Sequence, residues 1–151
     1  MNTPRKPFIR PFRRPDQDDA RRLLAAGFRE HFGDAYDEAE DHDLDDVAAL
    51  FLDGVFLVAI LDRRIVGTGG LVVLDDQTAE VRRMSTRRKY RRGGVASAVL
   101  SALLDEARVR GCRRVILGTE VAWDDAVSLY RSHGFREAAR PGSSIWFELA
   151  L

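Results

Sequence analysis

Residues 80–110, EVRRMSTRRKYRRGGVASAVLSALLDEARVR, constrain what this chain can fold into more than any other stretch. Glu80 to Thr86 can be extended. Arg87 to Gly94 breaks that pattern with charge and two adjacent glycines. From Val95 onward apolar residues recur at helical spacing, with Ala96, Leu100, Leu103 and Ala107 on one stripe and Val95, Val99 and Ala102 beside it. A strand is thus followed by a basic Gly-Gly turn and a long amphipathic helix. The first N–H groups of a helix have no acceptor within it, and the helix dipole adds partial positive charge. Glycines let such donors converge on one point, an arrangement that binds phosphate or pyrophosphate. Arg91 and Arg92 can add full charges beside it. The stretch predicts a site for a phosphorylated cofactor at a strand-to-helix turn.

The turn is not a P-loop, because GxxxxGK[ST] is absent, and the dinucleotide pattern GxGxxG is absent too. It reads Arg91-x-x-Gly94-x-Ala96. A strand ending Met84-Ser85-Thr86 precedes it, and the helix that follows runs to Arg110-Gly111. Next come a strand from Arg113 to Thr119 and the stretch Ala126-Val127-Ser128-Leu129-Tyr130-Arg131-Ser132-His133-Gly134-Phe135. Together these resemble the GCN5-related N-acetyltransferases, whose acyl-CoA motif is Gln/Arg-x-x-Gly-x-Gly/Ala and whose second signature is Ala-x-x-Leu-Tyr-x-x-x-Gly-Phe. The opening Phe8-Ile9-Arg10-Pro11-Phe12 is similar to the family's first strand, so the resemblance covers nearly the whole chain.

Periodicity fills in the remaining elements. Phe8 to Phe12 reads as a strand, and Asp16 can cap a helix through Phe28. Residues 33–43 read as a loop or irregular helix, and Leu44 to Leu52 as a second helix. Val55 to Leu61 and Ile65 to Leu74 read as strands joined by a tight Asp62-Arg63-Arg64 turn. Gly94 to Arg110 and Asp124 to His133 are helices, the latter ended by Gly134. Phe135 to Ala139 and Ser144 to Leu149 close as a hairpin around Pro141-Gly142. The expected architecture is an α/β fold with a mixed, mostly antiparallel sheet flanked by helices and a βαβ acyl-CoA-binding core. At 151 residues it is expected to form one domain over 1–151, with 1–6 as a flexible tail. No apolar run reaches membrane-spanning length and no signal peptide is visible. The single cysteine, Cys112, excludes an internal disulfide. These features point to the cytoplasm and away from a membrane. Oligomeric state, a homodimer included, stays open.

The resemblance implies direct attack of an amine on the thioester of acetyl-CoA. It implies that Arg91, Arg92, Gly93, Gly94, Val95, Ala96 and Ser97 hold the pyrophosphate, largely through backbone N–H groups. Met84, Ser85 and Thr86 would pair with the pantetheine arm as a partner strand does. Tyr130 stands where many members protonate the leaving thiolate, and an unperturbed phenol, with a pKa of about 10, is protonated at neutral pH. Glu80 stands on the strand that carries the base in the histone-acetyltransferase branch, on one strand face with Arg82 and Met84. Glu120 is the second candidate. Other branches place a glutamate near the end of this strand, but alignment puts that position at Gly118. Trp123 replaces an asparagine that contacts the cofactor in many members, and an indole cannot reproduce an amide's hydrogen bonds.

Other features are weaker. His31, His42 and His133 lack ligand spacing. Asp41-x-Asp43-x-Asp45 begins like a calcium loop, but Asp46 and Leu52 replace the required Gly and Glu. The basic run from Arg82 to Arg92 could suggest nucleic acid, yet only Tyr90 interleaves it and the formal net charge is zero. Two non-enzymatic alternatives stand beside the acetyltransferase: an acyl-CoA sensor without turnover, and a nucleic-acid binder. Eight acids, Asp34, Asp37, Glu38, Glu40, Asp41, Asp43, Asp45 and Asp46, lie in a segment that borders the acceptor site in the resembled family. A one-sign block there would draw a cationic amine.

Overall fold

The computed structural model describes residues 5–151. The first four residues of the expected tail lie outside the described residues, and Arg5 within it is bonded to Asp62 at 2.5 and 2.8 Å. Seven strands form one sheet: β1 (Phe8–Pro11), β2 (Gly54–Leu61), β3 (Arg64–Val73), β4 (Thr78–Thr86), β5 (Arg114–Glu120), β6 (Arg136–Ala139) and β7 (Ser144–Ala150). Their spatial order is β1-β2-β3-β4-β5-β7-β6. Every neighbouring pair is antiparallel except β4 and β5, which the crossover makes parallel. Three helices, α1 (Gln17–Phe32), α2 (Val95–Val109) and α3 (Asp124–Ser132), complete the expected α/β class.

Each face of the sheet has its own core. On one, Val95, Val99, Leu100, Leu103 and Ala107 of α2 pack with Leu57, Val66, Leu71, Val81, Leu117 and Phe147. On the other, Ala20, Leu23 and Leu24 of α1 pack with Leu44, Val47, Phe51, Phe56, Val58 and Ile65. β3 runs through both cores and carries Gly67, Gly69 and Gly70 where its neighbours come closest. A Cβ on Gly67 would lie 2.6 Å from Val95, and one on Gly69 would lie 2.6 Å from both Met84 and Val99. A Cβ on Gly70 would overlap the Phe51 ring on the other face. The missing side chains let α2 and Phe51 sit directly on the strand.

The Asp62-Arg63 turn is as expected, with φ of 52° and 62° at its two residues, the geometry that matches strand twist. The first helix is longer than its sequence pattern suggests, running past Phe28 to Phe32 before Gly33, at φ 58°, ends it. The expected second helix does not form. Residues 42–45 and 47–51 are separate 3₁₀ turns. The reason is lateral anchoring: the Gln17 amide donates to Leu44 O at 2.7 Å and accepts from Val47 N–H at 3.0 Å, so the backbone between them bonds to α1 rather than to itself. Asp46 then caps the second turn by accepting from Ala49 N–H.

The glycine strip yields a stability prediction. Gly70→Val is expected to destabilise the fold by about 1–3 kcal/mol, because the buried Phe51 ring, stacked on Phe56, occupies the place of the new side chain. Urea unfolding checks it; an unchanged midpoint would mean that β3 tolerates a side chain there.

Candidate functional site

The turn between β4 and α2 carries six backbone amides, those of Arg92, Gly93, Gly94, Val95, Ala96 and Ser97, with no acceptor among the described residues. The first helical bond of α2 is Ala98 N–H to Gly94 O, and no side chain caps the helix. Arg92 and Gly94 have φ of 62° and 88°, which turns successive N–H groups to one side. A Cβ on Gly94 would meet no atom within 4 Å, so the turn is open on the side to which that bond points. The turn thus presents a row of amide donors without acceptors among the described residues.

Its arginines divide the work differently from the expectation. Arg91 grips Glu30 of α1 through two bonds of 2.5 and 2.7 Å and donates to Thr86 O at 3.3 Å. Its charge is met by a carboxylate, and it braces the turn against α1. Arg87 is also structural, since its guanidinium donates to Ile65 O and its N–H to Val66 O. Tyr90 Oη donates to Asp62 at 2.8 Å, tying the turn to the β2–β3 hairpin. Arg92 and Arg88 have no ion pair among the described residues. Arg88 lines a cavity of about 210 Å³ with Arg22, Arg91 and Thr86. Ser97 Oγ lies 2.8 Å from His133 Nε2, which links α2 to the end of α3. Burial pushes His133 below its ordinary value, so the imidazole is neutral at pH 7.

β4 and β5 share only three ladder pairs, Thr78–Arg114, Ala79–Val115 and Glu80–Ile116. Beyond them the strands part, and the β5-facing edge of Val81 to Thr86 is left without a ladder partner. β4 also bulges here. Thr68 pairs with Ser85 and Gly70 with Arg82, so Arg83 and Met84 stand opposite Gly69 alone. Arg83 takes φ 57° and its carbonyl accepts from Thr68 Oγ1 at 2.9 Å. The bulge corrects one expectation. Glu80 shares a face with Arg82, to which it is ion-paired, but Met84 is turned to the α2 side, near Gly69 and Val99. Arg83 is turned to the α1 side, its guanidinium 5.0 Å from the Phe28 ring centroid and 3.2 Å from Asp43.

The remaining candidates flank this parting. The Tyr130 ring is buried against Phe135 and Phe147, and burial pushes its pKa up to about 12. Its hydroxyl makes no hydrogen bond among the described residues and is not wholly enclosed, because no fully buried side-chain nitrogen or oxygen among them lacks a partner. Glu120 ends β5 with no ion pair among the described residues. Gly118 stands opposite Trp146, whose ring carbons would lie 3.0 Å from a Cβ there. Trp123 stacks on His31 with ring centroids 3.9 Å apart and meets Phe32 edge-on, so it closes α1 against the β5–α3 loop.

Three of the eight acids in the segment are ion-paired. Glu38 meets Arg21 and Arg29, Asp45 meets Arg21 and His42, and Asp43 meets Arg83. Asp41 accepts from Tyr36 Oη at 3.0 Å. Within the basic run, Arg82, Arg83 and Arg91 are ion-paired and Arg87 bonds a backbone carbonyl. Sequence reasoning missed Glu30, Arg83, His31 and Trp146; each acts through a partner far away in the chain, and none stands in a local motif.

Comparison with known proteins agrees with this fold. The family model "Acetyltransferase (GNAT) family" matches residues 18–135. Human N-acetyltransferase 8 is 30% identical over 115 residues, covering 71% of this chain and 51% of its own length. The IAA acetyltransferase of Azospirillum brasilense is 32% identical over 108 residues, 71% of each chain. The chain thus spans about half the length of the human relative it matches. Among solved structures, a GNAT-family acetyltransferase from Staphylococcus aureus superposes with a TM-score of 0.85 at 22% identity, covering 95% of this chain and 98% of that one. The PaiA N-acetyltransferase of Thermoplasma acidophilum, in complex with coenzyme A, gives a TM-score of 0.85 at 17% identity, covering 97% and 100%. No helix among the described residues is long and apolar enough to cross a membrane.

The Asp62 clamp predicts an acid response. Arg5 and then the Tyr90 hydroxyl hold the Asp62 carboxyl well below its ordinary 3.8, at about 2. A depressed folded-state pKa contributes stability above 3.8 that is lost as pH falls through about 2. The urea midpoint of the parent should therefore fall more steeply between pH 5 and pH 2 than that of Asp62→Asn. Equal falls would show that the clamp adds nothing to the fold.

Proposed function

The chain belongs to the GNAT acetyltransferase family, and on that premise we propose that it transfers an acetyl group from acetyl-CoA to a primary amine, with residues 1–151 acting as one catalytic domain. The observation that carries this reading is the row of six unpartnered amides at the start of α2, beside a strand edge that is bare beyond Glu80. Pyrophosphate oxygens suit the amides of Arg92 to Ser97, with Arg92 and Arg88 adding charge. The pantetheine amides suit the edge at Met84, Ser85 and Thr86, in the manner of strand addition. Relatives of this fold crystallised with coenzyme A support the same cosubstrate here.

In this reading the amine nitrogen attacks the thioester carbonyl, the N–C bond forms and the C–S bond breaks. Tyr130 supplies the proton that the departing thiolate takes up. Its raised pKa keeps it a donor through the whole physiological range. Glu80 takes the proton that the amine loses, through water, from the last paired position before the strands part. Gly118 cannot take that role, and the space a side chain would use there is filled by Trp146.

Two experiments test this. Gly94→Glu puts a carboxylate beside the amides and should abolish acetyl-CoA binding in calorimetry while leaving the circular dichroism spectrum unchanged. Retained affinity would sink the cosubstrate assignment. In thiol-release assays over pH 6–10, Tyr130→Phe should lower kcat by roughly 10²-fold, whereas the parent should show no loss from phenol ionisation up to pH 10. Glu80→Gln should be slow at neutral pH and recover as the free amine becomes neutral. Parent-like profiles for both variants would remove these residues from the proton path.

A further inference from the structure

One large aromatic residue on the α1 side of the sheet has no role in the mechanism above. α1 packs on β3 and β4 rather than on β5 and β7. On that side the latter strands present Ile116, Gly118 and Glu120, and Ser144, Trp146 and Glu148, because Leu117, Thr119, Ile145 and Phe147 are buried on the other side. Trp146 is half-buried over exposed Gly118. No aromatic ring and no cation among the described residues stacks on its indole; the two cation–π contacts are Arg83 on Phe28 and Arg131 on Phe147. Glu120 lies two residues beyond Gly118 on the same face, with a free carboxylate. Both border the parting of β4 and β5, where the thioester would be presented.

An indole face with no partner attracts both aryl rings and ammonium groups, and a free carboxylate beside it holds the ammonium. Ile116 extends the apolar floor. On this face Arg82 is tied to Glu80 and Arg114 to Glu148 at 3.4 Å, while Arg136, opposite Glu148, lies level with Ile116, four residues along β5 from Glu120, so an acceptor's carboxylate beside its ammonium would meet Glu120 rather than a cation. We propose that Trp146 and Glu120 form the acceptor subsite and that the acceptor is an arylalkylamine, its ring on the indole and its ammonium at Glu120. This rests on the acetyltransferase reading and specifies its acceptor.

The test compares 2-phenylethylamine, propylamine and phenylalanine as acceptors in the thiol-release assay, with the parent, Trp146→Leu, Trp146→Phe and Glu120→Gln. The parent should favour 2-phenylethylamine over propylamine by roughly tenfold in kcat/KM and should use phenylalanine poorly. Trp146→Leu should erase that preference through KM with little change in kcat, and Trp146→Phe should keep most of it. Glu120→Gln should raise KM for both amines. Coenzyme A affinity, equal in all four proteins, shows that the variants are folded. A preference that survives in Trp146→Leu, or phenylalanine used as readily as 2-phenylethylamine, overturns the subsite. If the parent binds no coenzyme A and releases no thiol, the acetyltransferase reading fails instead. Calorimetric titration of 2-phenylethylamine then judges the subsite alone: weaker binding to Trp146→Leu than to the parent upholds it, and equal or absent binding overturns it.

Discussion

Only three residue pairs hold β4 to β5, and the candidate chemistry lies beyond the third. Were the ladder to continue, the edge of β4 would be filled by β5 and there would be no cleft. The bulge at Arg83 occupies this stretch. It places two residues of β4 opposite one of β3 and sets a non-glycine residue at φ 57°, a conformation that is costly unless its surroundings hold it. Here Thr68 bonds the Arg83 carbonyl, Phe28 lies under its guanidinium and Asp43 meets its charge. The strain is thus borne by the neighbouring strand and by the α1 layer.

The same cleft depends on how closely the layers approach. Gly67 and Gly69 let α2 rest on β3, and this brings the start of α2 level with the end of β4. The turn between them is then held from two sides, by Glu30 through Arg91 and by Asp62 through Tyr90. Exposed ion pairs of this kind add little to global stability, typically 0–1 kcal/mol each. Their value lies in fixing the direction of six N–H groups that have nothing else to bond. A chain with 24 basic and 24 acidic side chains has spent many of them in this way, on position rather than on a surface field. Within the arginine run and the acidic segment, Arg82, Arg83, Arg91, Glu38, Asp43 and Asp45 are held in such pairs.

Much of this protein was legible from local pattern. The strand–turn–helix at 80–110, the crossover to β5, the Asp62-Arg63 turn and the Gly93-Gly94 turn each follow from side-chain period and glycine placement within a few residues, and the local physics is sufficient to specify them. The place of Tyr130 on α3 was legible for the same reason, since its motif and its helix are contiguous. The helix expected at 44–52 was not realised, because Gln17, about thirty residues away, bonds the backbone that would have closed it.

Tertiary structure alone decided what each charge and ring does. Arg91, read from its motif as a ligand for phosphate, is paired with Glu30, 61 residues away in the chain. Met84 looked like a neighbour of Glu80 until one bulged residue reversed the alternation of β4. Trp146 carried no signal at all, because its meaning depends on a glycine in the adjacent strand and on the helix that stops short of covering it. Periodicity and turn chemistry act over a few bonds and so can be read along the chain. Pairing, strain and exposure depend on which distant residues arrive at the same place, and only the folded sheet brings them there.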